Sequence, residues 1–193
     1  MGDSLVARRI GLLGGTFNPI HFGHLNLAIE MQEKCTLDEV WMIPARLSPF
    51  KLEEPLISGE DRLEMVRLAI EGLPSFRVLD VELSRPPPSY TIDTLHLLDT
   101  SADNFFLLLG EDAFAHFDKW KNHKEILQKV SLRVAKRKCS TQQVPLAERV
   151  DTREMEISST EVRERIKKRL YCGHLIPYKV LDYIYEHQLY FTV

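Results

Sequence analysis

Two histidines, His21 and His24, flank Gly23 in the stretch Gly14-Gly15-Thr16-Phe17-Asn18-Pro19-Ile20-His21-Phe22-Gly23-His24. Imidazoles at a helix start can donate hydrogen bonds to phosphate oxygens, where free N–H groups and the helix dipole also favour negative charge. The same donors would stabilise charge that builds up in a transition state. Gly14 and Gly15 strip side chains from the loop, so backbone N–H groups can approach an anion closely. Pro19 sets φ before the helix and needs no donor there. Plainer readings stand beside this one. A histidine pair can hold a metal or lie solvated, and glycines after a strand can simply make a tight turn. No Gly-Lys-Ser/Thr closes the loop and no G-x-G-x-x-G occurs in it, so the Walker and dinucleotide fingerprints do not apply. No Cys or carboxylate sits nearby at ligand spacing, which weighs against a metal.

A second constellation lies far down the chain, in Ile157-Ser158-Ser159-Thr160-Glu161-Val162-Arg163. Ser158 or Ser159 caps a helix whose apolar positions are Val162, Ile166 and Leu170. Hydroxyls and free N–H groups there form an anion site, with Arg163 one turn in. An ordinary capped helix with surface arginines has the same pattern. Two such helix starts in one chain, however, suit a polyphosphate held at both ends. Single residues add to the picture. Lys51 either meets a second phosphate or is a solvated surface lysine. Thr91, a candidate N-cap after Tyr90, opens a turn that can receive a small carboxylate or is merely well capped. Asp112, just after Gly110, either accepts from ribose hydroxyls or caps a helix. Trp120 either packs in the core or stacks on a flat heteroaromatic ring. Arg137, in a basic triplet on the same rim, reads as a solvated turn residue.

The elements that must position these residues alternate. Short apolar runs at residues 9–13, 39–43, 77–83, 104–109 and 130–135 read as strands, with a short sixth at 152–156. Helical spacing occupies residues 25–31, 58–70, 91–98 and 158–170, and Ser58 with Asp61 makes an approximate capping box. Residues 84–91 form a proline-rich loop and residues 139–150 a polar one. Alternation of this kind predicts an α/β fold with a parallel sheet, and most of the candidates fall after strands, on one rim.

The whole chain sets bounds. At 193 residues it suits one domain, 1–193, with a C-terminal helical part at about 158–193. The apolar and charged fractions, 44% and 27%, set aside disordered and fibrous classes. A net charge of −3 argues against a general nucleic-acid binder. Cys35, Cys139 and Cys172 are odd in number and form no C-x-x-C, which argues against a disulfide framework or a zinc knuckle. The first residues lack the apolar core of a signal peptide, and no apolar run reaches membrane-spanning length. A cytoplasmic location is the expectation.

The Gly14–His24 stretch resembles the HxGH signature of the nucleotidyltransferase superfamily. Its Gly-Gly-x-Phe-Asp/Asn-Pro-x-His form is similar to the bacterial nicotinate-mononucleotide adenylyltransferases. Ile-Ser-Ser-Thr-Glu-Val-Arg at 157–163, Glu-Leu-Ser-Arg and Ser-Tyr-Thr-Ile-Asp-Thr-Leu within 82–95, Gly110 with Asp112, Trp120 and the Pro177–Tyr190 tail resemble that family too. Two departures stand out: Phe50 where the family has histidine, and Pro86 to Pro88 in a loop where it often has glycine. The resemblance implies a Rossmann-like open parallel sheet with helices on both faces and a small C-terminal helical segment. It implies adenylyl transfer from ATP to nicotinate mononucleotide, giving the dinucleotide and pyrophosphate in NAD biosynthesis. His21, His24 and Arg163 are then catalytic. Gly14, Gly15, Thr16, Phe17, Gly110, Asp112, Ser158, Ser159 and Thr160 bind ATP, and Asn18, Lys51, Tyr90, Thr91, Trp120 and Arg137 bind the mononucleotide. Mg²⁺ arrives with ATP and no protein metal site is implied. No nucleic acid or membrane partner is expected, and self-association into a homo-oligomer is left open. The alternatives are a nicotinamide-mononucleotide form, phosphopantetheine adenylyltransferase and a nucleotide-binding regulatory module without turnover.

Overall fold

The structure, a computed structural model, describes residues 7–50, 57–98, 103–136 and 147–191. Among them, six strands form one wholly parallel sheet: β1 (Arg9–Gly15), β2 (Glu39–Pro44), β3 (Phe76–Val78), β4 (Asn104–Gly110), β5 (Ser131–Lys136) and β6 (Ala147–Asp151). The helices are α1 (Phe22–Lys34), α2 (Gly59–Ile70), α3 (Thr91–Leu97), α4 (Glu111–Phe114), α5 (His123–Lys129), α6 (Ser159–Lys167) and α7 (Tyr178–Glu186), with a 3₁₀ turn at Phe117–Lys119.

The strand order is β3-β2-β1-β4-β5-β6. The chain runs outward from β1 through β2 and β3, then returns to the other side of β1 for β4. That reversal opens a crevice at the carboxyl ends of β1 and β4, the place where open α/β sheets bind ligands.

Side-chain alternation explains why both faces are covered. Ile10 and Leu12 of β1, with Phe105, Leu107 and Leu109 of β4, pack under α3 and α5 through Ile92, Leu95 and Ile126. Leu13, Phe106 and Leu108 face the other way, onto Ala28 and Met31 of α1 and Val162, Ile166, Val180 and Ile184 of α6 and α7. Burying each of the larger of these side chains contributes about 1.5–3 kcal/mol. So α6 and α7, the expected C-terminal helical part, are welded to the sheet's main core.

Three expectations shift. The third strand was expected over residues 77–83, but β3 ends at Val78. Leu79 still donates to Met42 O, after which β2 reaches Pro44 and the chain turns through Leu83 N–H to Asp80 O. Pro44 has no N–H with which to extend the ladder, so the edge strand ends there. The sixth strand was expected at 152–156 but runs from Ala147 to Asp151, all but its last residue within the 139–150 stretch read as a polar loop. Pairing with β5, rather than apolar content, makes it a strand. Helix α6 stops at Lys167, because Arg169 has a φ of 55° and Leu170 is exposed.

Candidate active site

The β1–α1 loop is shaped by close ring packing. A Cβ on Gly15 would lie 2.8 Å from the Phe17 ring, and one on Gly23 would lie 3.0 Å from the His21 imidazole. Glycine at these two positions lets both rings fold back against the loop. Gly14 has nothing within 4 Å of an added Cβ, so the loop is open on its ligand side there. Phe17 is 1% exposed and meets the His24 ring edge-on, with centroids 5.1 Å apart. Its ring therefore backs the histidine, and any contact it makes with a nucleotide falls to its backbone.

His21 is the N-cap of α1 and accepts at its carbonyl from the N–H groups of His24 and Leu25. Its ring stacks on His24 with centroids 3.7 Å apart and planes 27° apart. His21 N–H donates to His24 Nδ1 at 3.3 Å, which places the proton of a neutral His24 on Nε2. The His21 ring is 6% exposed, and its Nδ1 is buried with no hydrogen-bond partner. Burial pushes this imidazole down to about 4, so the ring is neutral near pH 7. A neutral ring can stack closely on its neighbour without charge repulsion.

The second constellation meets the first across 140 residues of sequence. Ser159 Oγ donates to Pro19 O at 2.9 Å. Arg163 donates from Nη1 to Asn18 O at 2.8 Å and from Nη2 to Thr160 Oγ1 at 3.2 Å. Ser158 is the N-cap, and its hydroxyl accepts from Glu161 N–H at 3.1 Å. Asn18 is 2% exposed, and its Oδ1 accepts from the Tyr190 hydroxyl at 2.9 Å. Thus two helix N-termini, two imidazoles and one guanidinium gather around one loop. That arrangement can hold a chain of anionic groups.

On the far side of Gly14 lies a narrow, largely apolar cleft. Gly14, Thr91, Thr94 and Trp120 line it, with Glu82 as its carboxylate. Tyr90, rather than Thr91, is the N-cap of α3, so the Thr91 N–H belongs to the first helical turn. Trp120 is half-buried and leans on Phe117 at 5.4 Å. Tyr90 carries Lys121 over its ring, and Lys121 also pairs with Asp93 at 3.0 Å. Gly110 and Asp112 stand at the end of β4, as N-cap and first-turn residue of α4. Lys51 and Arg137 lie outside the described residues. Among the described residues no cluster of three His, Cys, Asp or Glu could hold a metal ion.

Glu82, Thr94 and Arg85 were not among the candidates read from sequence. The Thr94 hydroxyl donates to Glu82 at 2.6 Å and accepts from Arg85 at 2.6 Å. Burial raises the Glu82 carboxyl above the usual carboxylate range. Glu82 alternates with Asp80 among Leu79, Val81 and Leu83, the pattern of a half-buried strand, so spacing alone did not set it apart.

Comparison with known proteins agrees with this geometry. Residues 12–165 match the sequence model of the cytidylyltransferase-like family. The nicotinate-nucleotide adenylyltransferase of Bacillus subtilis (strain 168) is 38% identical over 186 residues, covering 95% of this chain and 98% of its own. A relative from Dictyoglomus turgidum, named "Probable nicotinate-nucleotide adenylyltransferase", is 41% identical, covering 94% of this chain and 95% of its own. In fold, the chain is similar to Plasmodium falciparum nicotinic acid mononucleotide adenylyltransferase complexed with NaAD. The TM-score is 0.77 at 20% identity, over 95% of this chain and 97% of that one. Among the described residues no helix is long and apolar enough to cross a membrane.

Proposed function

The chain belongs to the nicotinate-nucleotide adenylyltransferases, within the cytidylyltransferase-like family, and we infer that it transfers an adenylyl group from ATP to nicotinate mononucleotide. The products are nicotinate adenine dinucleotide and pyrophosphate, a step of NAD biosynthesis. The observation that carries the reading is the union of the two phosphate-type helix starts through Ser159, Arg163 and the Asn18–Pro19 carbonyls.

The chemistry follows from that union. A phosphate oxygen of the mononucleotide attacks the α-phosphorus of ATP in line, the bond to the bridging oxygen breaks, and pyrophosphate leaves. The attacking group is already anionic, so the protein needs no base or nucleophile of its own. It contributes positioning and charge stabilisation. His21 and His24 donate to the α- and β-phosphates, and His24 does so from Nε2. Ser158, Ser159, Thr160 and Arg163 hold the departing pyrophosphate. The Gly14–Phe17 backbone takes the triphosphate, and Gly110 with Asp112 takes the ribose side of ATP. Mg²⁺ enters on the triphosphate as part of the substrate. The cleft beyond Gly14 seats the pyridine ring, with Trp120 stacking on it and the Thr91 turn receiving its carboxylate. Asn18, Tyr90, Lys51 and Arg137 complete the mononucleotide site. A reaction supplied by ATP and pyridine mononucleotides fits a cytoplasmic enzyme.

Pyrophosphate release with ATP and Mg²⁺ tests this, comparing nicotinate mononucleotide, nicotinamide mononucleotide and phosphopantetheine as acceptors. The acid is expected to be used best. Preference for the amide would reassign the acceptor, and turnover of phosphopantetheine alone would overturn the reading.

A further inference from the structure

Arg62 of α2 is 1% exposed, an unusual place for a guanidinium. Among the described residues, its hydrogen bonds all go to backbone carbonyls. Nη1 donates to Thr16 O at 2.7 Å and to Ala45 O at 2.6 Å, and Nη2 donates to Arg46 O at 3.2 Å. Its Nε is buried without a partner. Glu60 and Asp80 share with it the lining of a cavity of about 570 Å³, yet among the described residues no carboxylate pairs with it. Burying a cation with no carboxylate beside it is costly, and the three carbonyl acceptors offset only part of that cost. Arginine stays protonated even so.

The three carbonyls are not a random set. Thr16 belongs to the phosphate loop. Ala45 and Arg46 follow β2, and Ala45 N–H already donates to Gly15 O at 2.8 Å. From Arg46 the linkage continues toward the cleft. Its N–H donates to Ser89 Oγ at 2.9 Å, and its Nη1 donates to Leu83 O at 2.9 Å. Ser89 N–H donates back to Leu47 O at 2.8 Å. Residues 82 to 91 supply Glu82 and Thr91 to the cleft. Arg62 therefore stands between the loop that would hold ATP and the wall that would hold the mononucleotide.

We propose that Arg62 is a positioning residue for adenylyl transfer: its buried guanidinium fixes the phosphate loop to the cleft wall, and its unpaired charge favours polyphosphate from behind the loop. The proposal rests on the adenylyl-transfer reading. Two roles in one side chain make two separable demands. Lysine keeps the charge but cannot span three carbonyls as a planar fork does. Methionine keeps bulk and removes both, and glutamine keeps a donor without charge.

The experiment measures magnesium pyrophosphate binding by calorimetry and turnover with nicotinate mononucleotide, in wild type, Arg62→Lys, Arg62→Gln and Arg62→Met, each checked for cooperative melting. Arg62→Lys is expected to bind pyrophosphate within threefold of wild type while turnover falls at least tenfold. Arg62→Met and Arg62→Gln are expected to lose at least tenfold in pyrophosphate binding as well. A residue that merely supports folding would move melting and leave folded variants alike in both readouts. Pyrophosphate binding in the neutral variants equal to wild type overturns the charge, and Arg62→Lys turnover within threefold of wild type overturns the positioning. Should the neutral variants fail to fold, Arg62→Lys decides alone, since weakened pyrophosphate binding with the charge retained contradicts the proposal. Lack of turnover in wild type would strike the adenylyl-transfer reading instead, because pyrophosphate binding is measured without it.

Discussion

His24 and His21 share a loop yet face different constraints. His24 is half-buried, and its proton is directed to Nε2 by the His21 N–H. Replacing it with alanine removes one donor from the developing charge, which typically costs about 10²–10³ in turnover. His24→Ala is expected to show that loss with only about 1 kcal/mol of stability lost, since the ring is half-buried at the mouth of the loop, against Phe17 and His21. Near-normal turnover would remove His24 from the chemistry. His21 is a stability matter as well. Its folded value, about 4, lies below the unfolded 6.5, so the unfolded chain takes up the proton first. Stability from this group is full above pH 6.5 and is lost as pH falls toward 4, by about 3 kcal/mol in all. Glu82 works with the opposite sign, losing its contribution as pH rises through its raised value. Denaturant unfolding across pH 4 to 6.5 should therefore show a steep slope that flattens in His21→Asn. Equal slopes in the two proteins would refute the assignment.

Among elements, α6 and the β1–α1 loop depend on each other, and the C-terminal end of the chain locks them. Tyr190 reaches Asn18 Oδ1, while the Asn18 carbonyl anchors Arg163. Burial pushes the Tyr190 phenol up, so it remains a donor at any working pH. Tyr190→Phe removes a buried hydrogen bond to Asn18 Oδ1, which costs about 0.5–1.5 kcal/mol. We expect that loss in thermal unfolding, with turnover reduced several-fold as Arg163 loosens. Full stability in the variant would deny Tyr190 its role. The contrast in legibility is instructive here. Each helix start was readable because caps, glycines and prolines act within a few residues. Their union was not, because Ser159 and Pro19 meet only after the sheet has formed. The β3 and β6 boundaries failed for a related reason: an edge strand is defined by its single neighbour more than by its own composition. Arg62 was missed because α2 places it on the face of Met65, Val66 and Ala69, where a charged side chain breaks the expected pattern.

At the scale of the molecule, the strand reversal at β1 divides the work. The side of β1 facing α1, α6 and α7 carries the two helix starts proposed to hold the phosphates, and the side facing α3 and the 3₁₀ turn carries the cleft. Gly14 is the seam between them, with open space where a side chain would stand. A division of this kind means that damage to one half should leave binding to the other intact. Trp120 is the clearest probe, because it lines the cleft and touches neither histidine nor α6 in the contacts described. Losing an aromatic stacking partner typically costs about 1–3 kcal/mol. Trp120→Ala is thus expected to raise the KM for nicotinate mononucleotide about ten- to hundredfold. The KM for ATP should change less than about threefold, since the remote half keeps its own donors. Steady-state kinetics with each substrate varied in turn measures both. A parallel rise in the two constants would mean that the halves are not independent and that Trp120 holds the whole crevice rather than the pyridine ring.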